Sequence, residues 1–230
     1  MFIPTRDSTL RLIRPYITVG LIIINCIVYV YQVPLPKENL AEWFHKYGLI
    51  PAKLSHGSDL SSWWTFLTTL FLHGNFLHLA GNMLYLWIFG DNIESTLGHG
   101  KFLIFYLTCG VLAALTQVLI SPASIIPMIG ASGAISGVLG AYLLRYPRAR
   151  VKIFFWFFLF IRQFWVPAGY LLGIWFLIQL SNGLVSLGFQ SQGGVAWFAH
   201  IGGFIAGILL LLAFEPYERK RIWKKLNRSY

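Results

Sequence analysis

Charge is what this sequence has least of. Only 11% of its 230 residues are Asp, Glu, Lys or Arg, against 57% apolar ones, whereas a soluble domain carries about 25% charged residues. With a mean hydropathy of +0.64, the composition excludes a water-soluble fold and is that of a membrane protein. The length suits one compact bundle, and no linker divides it. Aspartate is rare: Asp7, Asp59 and Asp91 are the three present, none central in an apolar run, so a paired-aspartate mechanism inside the membrane lacks its second carboxylate. No HExxH occurs, which removes the zinc-protease signature. The two cysteines, Cys26 and Cys109, each sit inside an apolar run and read as small hydrophobes rather than as a disulfide or a metal pair. Neither a metal nor a cofactor is expected.

What charge there is falls in a pattern. The net charge of +10 comes from basic residues at Arg6, Arg11 and Arg14, at Arg145, Arg148, Arg150 and Lys152, and from Arg219 to Arg228. These groups flank apolar runs and alternate with segments that have few or none, as the positive-inside rule requires of a polytopic protein. No basic stripe with interleaved aromatics exists on a soluble domain, so nucleic acid is not an expected partner. The runs predict six spans, about 16–33, 76–93, 102–120, 132–145, 167–187 and 195–214. Residues 1–15 form a cytoplasmic segment before this all-α bundle, and a basic cytoplasmic tail follows it at 215–230. On this topology 15 of the 18 Lys and Arg lie inside, and Lys37, Lys46 and Lys53 outside. The first run begins near Tyr16 with no convincing cleavage site after it, which reads as a retained span. The lack of a targeting extension favours a prokaryotic inner membrane. The oligomeric state is not legible.

Three segments between the spans are informative. Pro34 to Asn75 is long, mixed in charge and rich in aromatics, including Trp43, Phe44, Tyr47, Trp63, Trp64 and Phe66; it is expected on the outer face as amphipathic elements in the headgroup region. The connection holding Asp91, Glu94, His99 and Lys101 is expected at the cytoplasmic face. Apolar residues run from Val151 to about Val185, too far for one span, and Arg162, Gln163 and Pro167 interrupt them. An interfacial segment, Lys152 to Val166, is expected before the fifth span.

The fourth run is short. Fourteen residues from Ser132 to Arg145 rise ~21 Å, less than the ~30 Å hydrocarbon core. With Arg145 at the inner boundary, Ser132 begins below the outer surface and the uncharged loop before it dips inward. Irregular backbone at that depth must be buried in protein or line a wet cavity, so a water-filled pocket open to the outside is expected.

Ser132 lies among small residues, Gly130 to Gly137, and His200 among Ala199, Gly202, Gly203 and Gly207. Ala199, Gly203 and Gly207 form a small-residue stripe at four-residue spacing, and Gly133 with Gly137 forms another, which favours close pairing of these two helices. Their contact would bring Ser132 towards His200. A serine needs a neighbouring base before it is a nucleophile, and His200 is the candidate, with no acidic third member evident within the spans. The plainer reading of a lone serine is a packing residue, whereas a histidine is costly to place in a spanning helix. Acyl transfer also needs donors aimed at a developing oxyanion. His78 and Asn82, one turn apart on the second span, and the backbone N–H of Ser132 could supply them; interhelical packing hydrogen bonds are the alternative for the two side chains. His73 reads as structural or interfacial, and His45, His56 and His99 as solvated.

Together, His78-Leu79-Ala80-Gly81-Asn82-Met83, Gly130-Ala131-Ser132-Gly133 and Ala199-His200-Ile201-Gly202-Gly203 resemble the rhomboid intramembrane serine proteases in order and spacing, from about Trp63 to Phe214. The resemblance implies a six-helix rhomboid-like bundle with Ser132 as nucleophile and His200 as general base, and with His78 and Asn82 lining the oxyanion hole. It implies a structural role for Glu94. It further implies substrates that are transmembrane helices of other proteins, cut near their outer ends at small residues, with a gate between the second and fifth spans. The outer loop before Asn75 would lie partly in the bilayer. Two positions depart from the pattern. Ser136 stands where some members stack an aromatic on the catalytic imidazole, so His200 must be oriented from elsewhere. Trp64-Thr65 stands where some carry Trp-Arg, so that loop is held differently. A catalytically silent relative that binds transmembrane helices is the competing reading, although its expected mark is loss of the serine or the histidine. A small-molecule transporter lacks support from internal repeats or paired broken helices.

Overall fold

The computed structural model describes residues 2–9, 11–55, 60–158, 160–188 and 195–215. The tail from 216, the loop 189–194, His56 and Asp59 lie outside the described residues. In chain order the elements are β1 (Phe2–Asp7), α1 (Tyr16–Gln32), α2 (Lys37–Tyr47), α3 (Pro51–Ser55), α4 (Thr65–Thr68), α5 (Phe76–Tyr85), α6 (Asp91–Leu97), α7 (His99–Ile120), α8 (Ser132–Arg145), β2 (Arg150–Phe157), β3 (Phe160–Pro167), α9 (Ala168–Gly188) and α10 (Trp197–Phe214). The protein is mostly helical. Helices α7, α9 and α10 are long and apolar enough to cross a membrane, and α1 is a shorter apolar helix. A π-helical turn, Leu86–Gly90, joins α5 to α6.

The interior is built around α7, α8 and α10. Phe102, Phe105, Tyr106, Ala134, Val138, Leu139, Tyr142 and Phe204 are buried there in one apolar cluster. Glycine decides the close approach: a Cβ at Gly203 would run into the Gly133 carbonyl, one at Gly207 into the Gly137 carbonyl, and one at Gly140 into the Phe204 carbonyl. Without a hydrophobic drive between helices in lipid, such backbone-to-backbone packing is what holds them.

One expectation about the architecture is corrected. The fold is not all-α: the segment Lys152 to Val166, expected to be interfacial, forms two strands of an antiparallel three-stranded sheet, ordered β1-β2-β3. Its residues are β-branched and aromatic types that fit a pleated surface; Val151 and Ile153 alternate inward and are fully buried, while Phe157, Phe160 and Ile161 are exposed. The third strand comes from residues 2–7, so the amino-terminal segment is tied into the fold.

Charge is buried as well: Asp91 and Glu94, in the connection expected at the cytoplasmic face, are both buried in α6. Asp91 pairs with Arg11. Nearby, buried Asp7 accepts from Tyr142 Oη at 2.7 Å and Asn92 Nδ2 at 3.0 Å. Glu94, 0% exposed, accepts from the backbone N–H groups of Ile17 and Thr18 at 2.9 and 2.8 Å and from the Thr18 hydroxyl at 2.7 Å. A carboxylate there satisfies N–H groups left open at the start of α1 and complements the helix dipole. His99, expected in solvent, places Nδ1 2.6 Å from Glu94 Oε1.

The segment between α1 and α5 is a chain of short helices. No residue of α2 is buried, and Tyr31, Trp43, Tyr47 and Trp64 form a run of ring contacts at 5.2, 4.2 and 5.3 Å between centroids. Where Trp-Arg is absent, Thr65 donates to the Ser62 carbonyl at 2.5 Å and Thr68 to the Tyr47 carbonyl at 2.6 Å.

Candidate active site

Ser132 is the first residue of α8, reached through a loop that is fastened on its other side. Met128 and Leu49 exchange backbone hydrogen bonds at 2.8 and 3.1 Å, Gly130 N–H donates to the Thr69 carbonyl at 2.9 Å, and the Thr69 hydroxyl bonds the Met128 carbonyl. Gly130 has φ of 122°, a conformation open to glycine, and a Cβ there would press on the His78 ring. Only glycine lets this loop pass beside His78 and still deliver Ser132 to the helix start.

His200 lies one turn into α10. The N–H of Ala199 donates to Gln117 Oε1 at 3.2 Å, which fixes the beginning of α10 against α7. The imidazole then reaches across to α8, with Nε2 2.8 Å from Ser132 Oγ. These two residues are 68 positions apart in sequence, and the glycine contacts between their helices bring them together. On the other side of the ring, Nδ1 is 2.8 Å from Gln179 Oε1 of α9. The rings of Trp175 and Trp197 flank it, with centroids at 6.1 and 6.3 Å. Ser136, in the place of an aromatic, turns its hydroxyl to the Ser132 carbonyl at 2.7 Å and leaves the imidazole to α9.

Helix α5 supplies the remaining side chains. Asn75 caps it by accepting from His78 N–H at 2.8 Å, the side-chain-to-backbone bond of an N-cap. Asn82 follows one turn after His78 and is buried. Its Nδ2 lies 2.9 Å from His73 Nε2. His73 is 1% exposed, bracketed by Gln32 through its N–H and C=O at 3.3 and 3.1 Å, and edge-on to His78 at 5.1 Å. Burial, with the His78 ring beside it, pushes His73 down from its ordinary 6.5 to about 4. The imidazole is therefore neutral near neutral pH, and Nε2 accepts from the Asn82 amide.

A cavity of about 30 Å³ lies beside Ser132, lined among others by Thr69, Gly130, Gly133 and Ala199, room for a water or two. Among the described residues no group of three or more His, Cys, Asp or Glu is placed to hold a metal ion. Ser132, His200, Gly133 and Gly203 thus gather at one place, with His78 and Asn82 across from them at Gly130. Gly207 packs α10 further inward, and Glu94 stands at the other end of the molecule, beneath α1. Sequence reasoning missed Gln179 and His73 as neighbours of the site. An uncharged glutamine in an apolar run was a signal that went unread.

Comparison with known proteins shows the family to which the chain belongs. The family model described as Rhomboid domain matches residues 60–216. Rhomboid protease GluP of Bacillus subtilis is 44% identical over 81 residues, covering 35% of this chain and 15% of that protein. Rhomboid protein 1, mitochondrial, of Saccharomyces cerevisiae is 31% identical over 163 residues, 69% of this chain and 42% of that protein. The human presenilin-associated rhomboid-like protein, mitochondrial, is 28% identical over 208 residues, 89% and 49% of the two chains. The chain thus spans less than half the length of each of these relatives. Two of the three are named for mitochondria, so kinship does not support assigning the chain to a prokaryotic inner membrane. The match over residues 60–216, with its multi-pass apolar helices, shows that this chain is an integral membrane protein of the rhomboid family.

Proposed function

We propose that this chain is an intramembrane serine endopeptidase that cleaves transmembrane segments of other membrane proteins near their outer ends. The observation that carries the reading is the 2.8 Å contact between Ser132 Oγ and His200 Nε2, a nucleophile and a base on two separate helices within hydrogen-bond reach. In this reading the chain crosses six times, by α1, the continuous α5–α6, α7, α8, α9 and α10, with both termini cytoplasmic, and the pair would lie below the outer surface. The Arg and Lys distribution supports that orientation.

The family resemblance implies the route, and the geometry supports the chemistry. A substrate helix enters sideways past α5 and α9, as the resemblance implies, and its end unwinds over Ser132; the space of about 30 Å³ beside the serine has room for a water or two, so admission of a peptide needs movement of the surrounding segments. His200 Nε2 takes the Ser132 proton as Oγ attacks the carbonyl, then delivers it to the leaving amine. His78, Asn82 and the N–H of Ser132, whose place in the first turn leaves it without an intrahelical acceptor, supply the oxyanion donors. Incubating the detergent-solubilised chain with a single-span reporter, beside Ser132→Ala, tests the reading. Cleavage lost in the variant and mapped near the outer end of the reporter supports it. No cleavage by the wild type across several reporters and in lipid removes it and leaves a helix-binding relative.

A further inference from the structure

We infer that Gln179 of α9 is the positioning residue that orients His200 and selects the tautomer the base requires; the inference rests on the protease reading above. Gln179 is 6% exposed, although it sits in a helix whose neighbouring Leu177 and Ile178 are largely exposed. An amide in such a place must find partners on both of its ends. Its Nε2 donates to the Trp175 carbonyl, one turn back in α9, at 3.4 Å. That engagement turns Oε1 towards His200 Nδ1, 2.8 Å away.

The consequence is a matter of donors and acceptors. A carbonyl oxygen only accepts, so the proton of the neutral imidazole belongs on Nδ1. Nε2 is left with its lone pair, and that lone pair faces the Ser132 hydroxyl at 2.8 Å. In the other tautomer two lone pairs would meet at Gln179, and an N–H would face Ser132, which removes the base. A carboxylate could do the same work, but an ionised one in this apolar interior would carry a heavy desolvation penalty. The neutral amide selects the tautomer without burying a charge. The other titratable side chains near the site are His78, beside Gly130, and His73, edge-on to His78 at 5.1 Å. Ser136 bonds the Ser132 carbonyl, so the orienting contact comes from α9, and any outward displacement of α9 withdraws it.

The test uses the full chain in detergent with a single-span reporter, comparing wild type, Gln179→Leu, Gln179→Glu and Ser132→Ala, with ¹⁵N spectra of imidazole-labelled protein, His200 being assigned by difference from His200→Ala. The Nδ1–H tautomer is expected at His200 near pH 7.5, and Gln179→Leu is expected to lose kcat by roughly 10²-fold, the low end of what general-base catalysis contributes, with KM little changed. Gln179→Glu, which keeps an acceptor oxygen, is expected to regain most of that rate and to raise the acid limb of the pH profile. A dominant Nε2–H tautomer at His200 in the wild type overturns the inference, as does Gln179→Leu with the kcat and pH profile of the wild type. The spectra need no cleavage and no stable variant at Gln179. A wild type that cleaves no reporter while holding the Nδ1–H form therefore sinks the protease reading and leaves the positioning contact standing.

Discussion

Helices α8 and α10 meet backbone to backbone through Gly133, Gly137, Gly140, Gly203 and Gly207, whereas α9 meets α10 through side chains: Gln179 on His200, Phe176 stacked on Phe204 at 4.6 Å, and Ile201 and Phe198 over Gly183. In the most apolar stretches of α7 and α10, 39% of residues are buried, against 17% in α9. Burial in α9 concentrates at its inner end, where Ala168 and Leu172 are fully buried and Ala168 N–H donates to the Ala149 carbonyl at 2.7 Å. Further along, Leu177, Leu184 and Val185 are exposed. The molecule thus divides into a close-packed pair that holds Ser132 and His200, and a helix pinned at one end that carries the contact to His200 Nδ1. On the proposed function, a reaction needing sub-ångström placement would use the first, and the admission of a bulky helix the second.

The hardest way to break the close-packed half is at the dyad. Ser132→Ala and His200→Ala are each expected to lower cleavage by at least about 10⁴-fold, and the double variant to be no worse than either, since residues acting as one unit are not additive. Product mass spectrometry over long incubations measures all three. Next in size is Asn82→Ala, expected to cost roughly 10²- to 10³-fold in kcat if the amide is a full oxyanion donor; unchanged turnover would reduce Asn82 to a packing partner of His73.

Stability offers a cleaner contrast between the two halves. Gly207→Val drives a side chain into the Gly137 carbonyl, and with backbone on the other side neither helix can yield cheaply. A loss of about 3 kcal/mol or more, or failure to accumulate folded protein, is expected. At Gly173 of α9 an added Cβ would have no neighbour within 4 Å, so Gly173→Ala is expected to be neutral or to stabilise by up to ~1 kcal/mol. Thermal unfolding in one detergent compares them. Equal losses at both glycines would erase the distinction between the helices.

Much of this was legible in the sequence because lipid makes packing rules severe. Small-residue stripes announced the approach of α8 and α10, and the motifs around Ser132 and His200 named two residues that the structure places in contact. The hairpin β2–β3 was not legible, since a short apolar run of aromatic and β-branched residues has no period that separates strand from helix, and its third strand comes from the far end of the chain. The burial of Asp91 and Glu94 was hidden for a related reason: their partners, Arg11, Ile17 and Thr18, lie far away along the chain. Gln179 was missed because an uncharged polar residue in a spanning helix carries no fixed meaning until its neighbour is known.

The smallest expected effect concerns His73, which belongs to the close-packed side through Asn82 and Gln32. Its folded value of about 4 lies below the ordinary 6.5 that an unfolded chain would show. Below pH 6.5 the unfolded state therefore binds more protons than the folded one, and stability falls with pH until about 4; above 6.5 the contribution is fully present. At about pH 5.5 the loss is on the order of 1 kcal/mol. Protonation also turns Nε2 from acceptor into donor, so it faces the donor end of the Asn82 amide at 2.9 Å and breaks that contact. In His73→Gln, which keeps polar atoms and cannot titrate, unfolding followed from about pH 7.5 to about 5 should show a flatter acid decline than in the wild type. Parallel curves would mean that His73 takes up its proton as readily in the folded protein as in the unfolded one, and that Asn82 is held by something other than its lone pair.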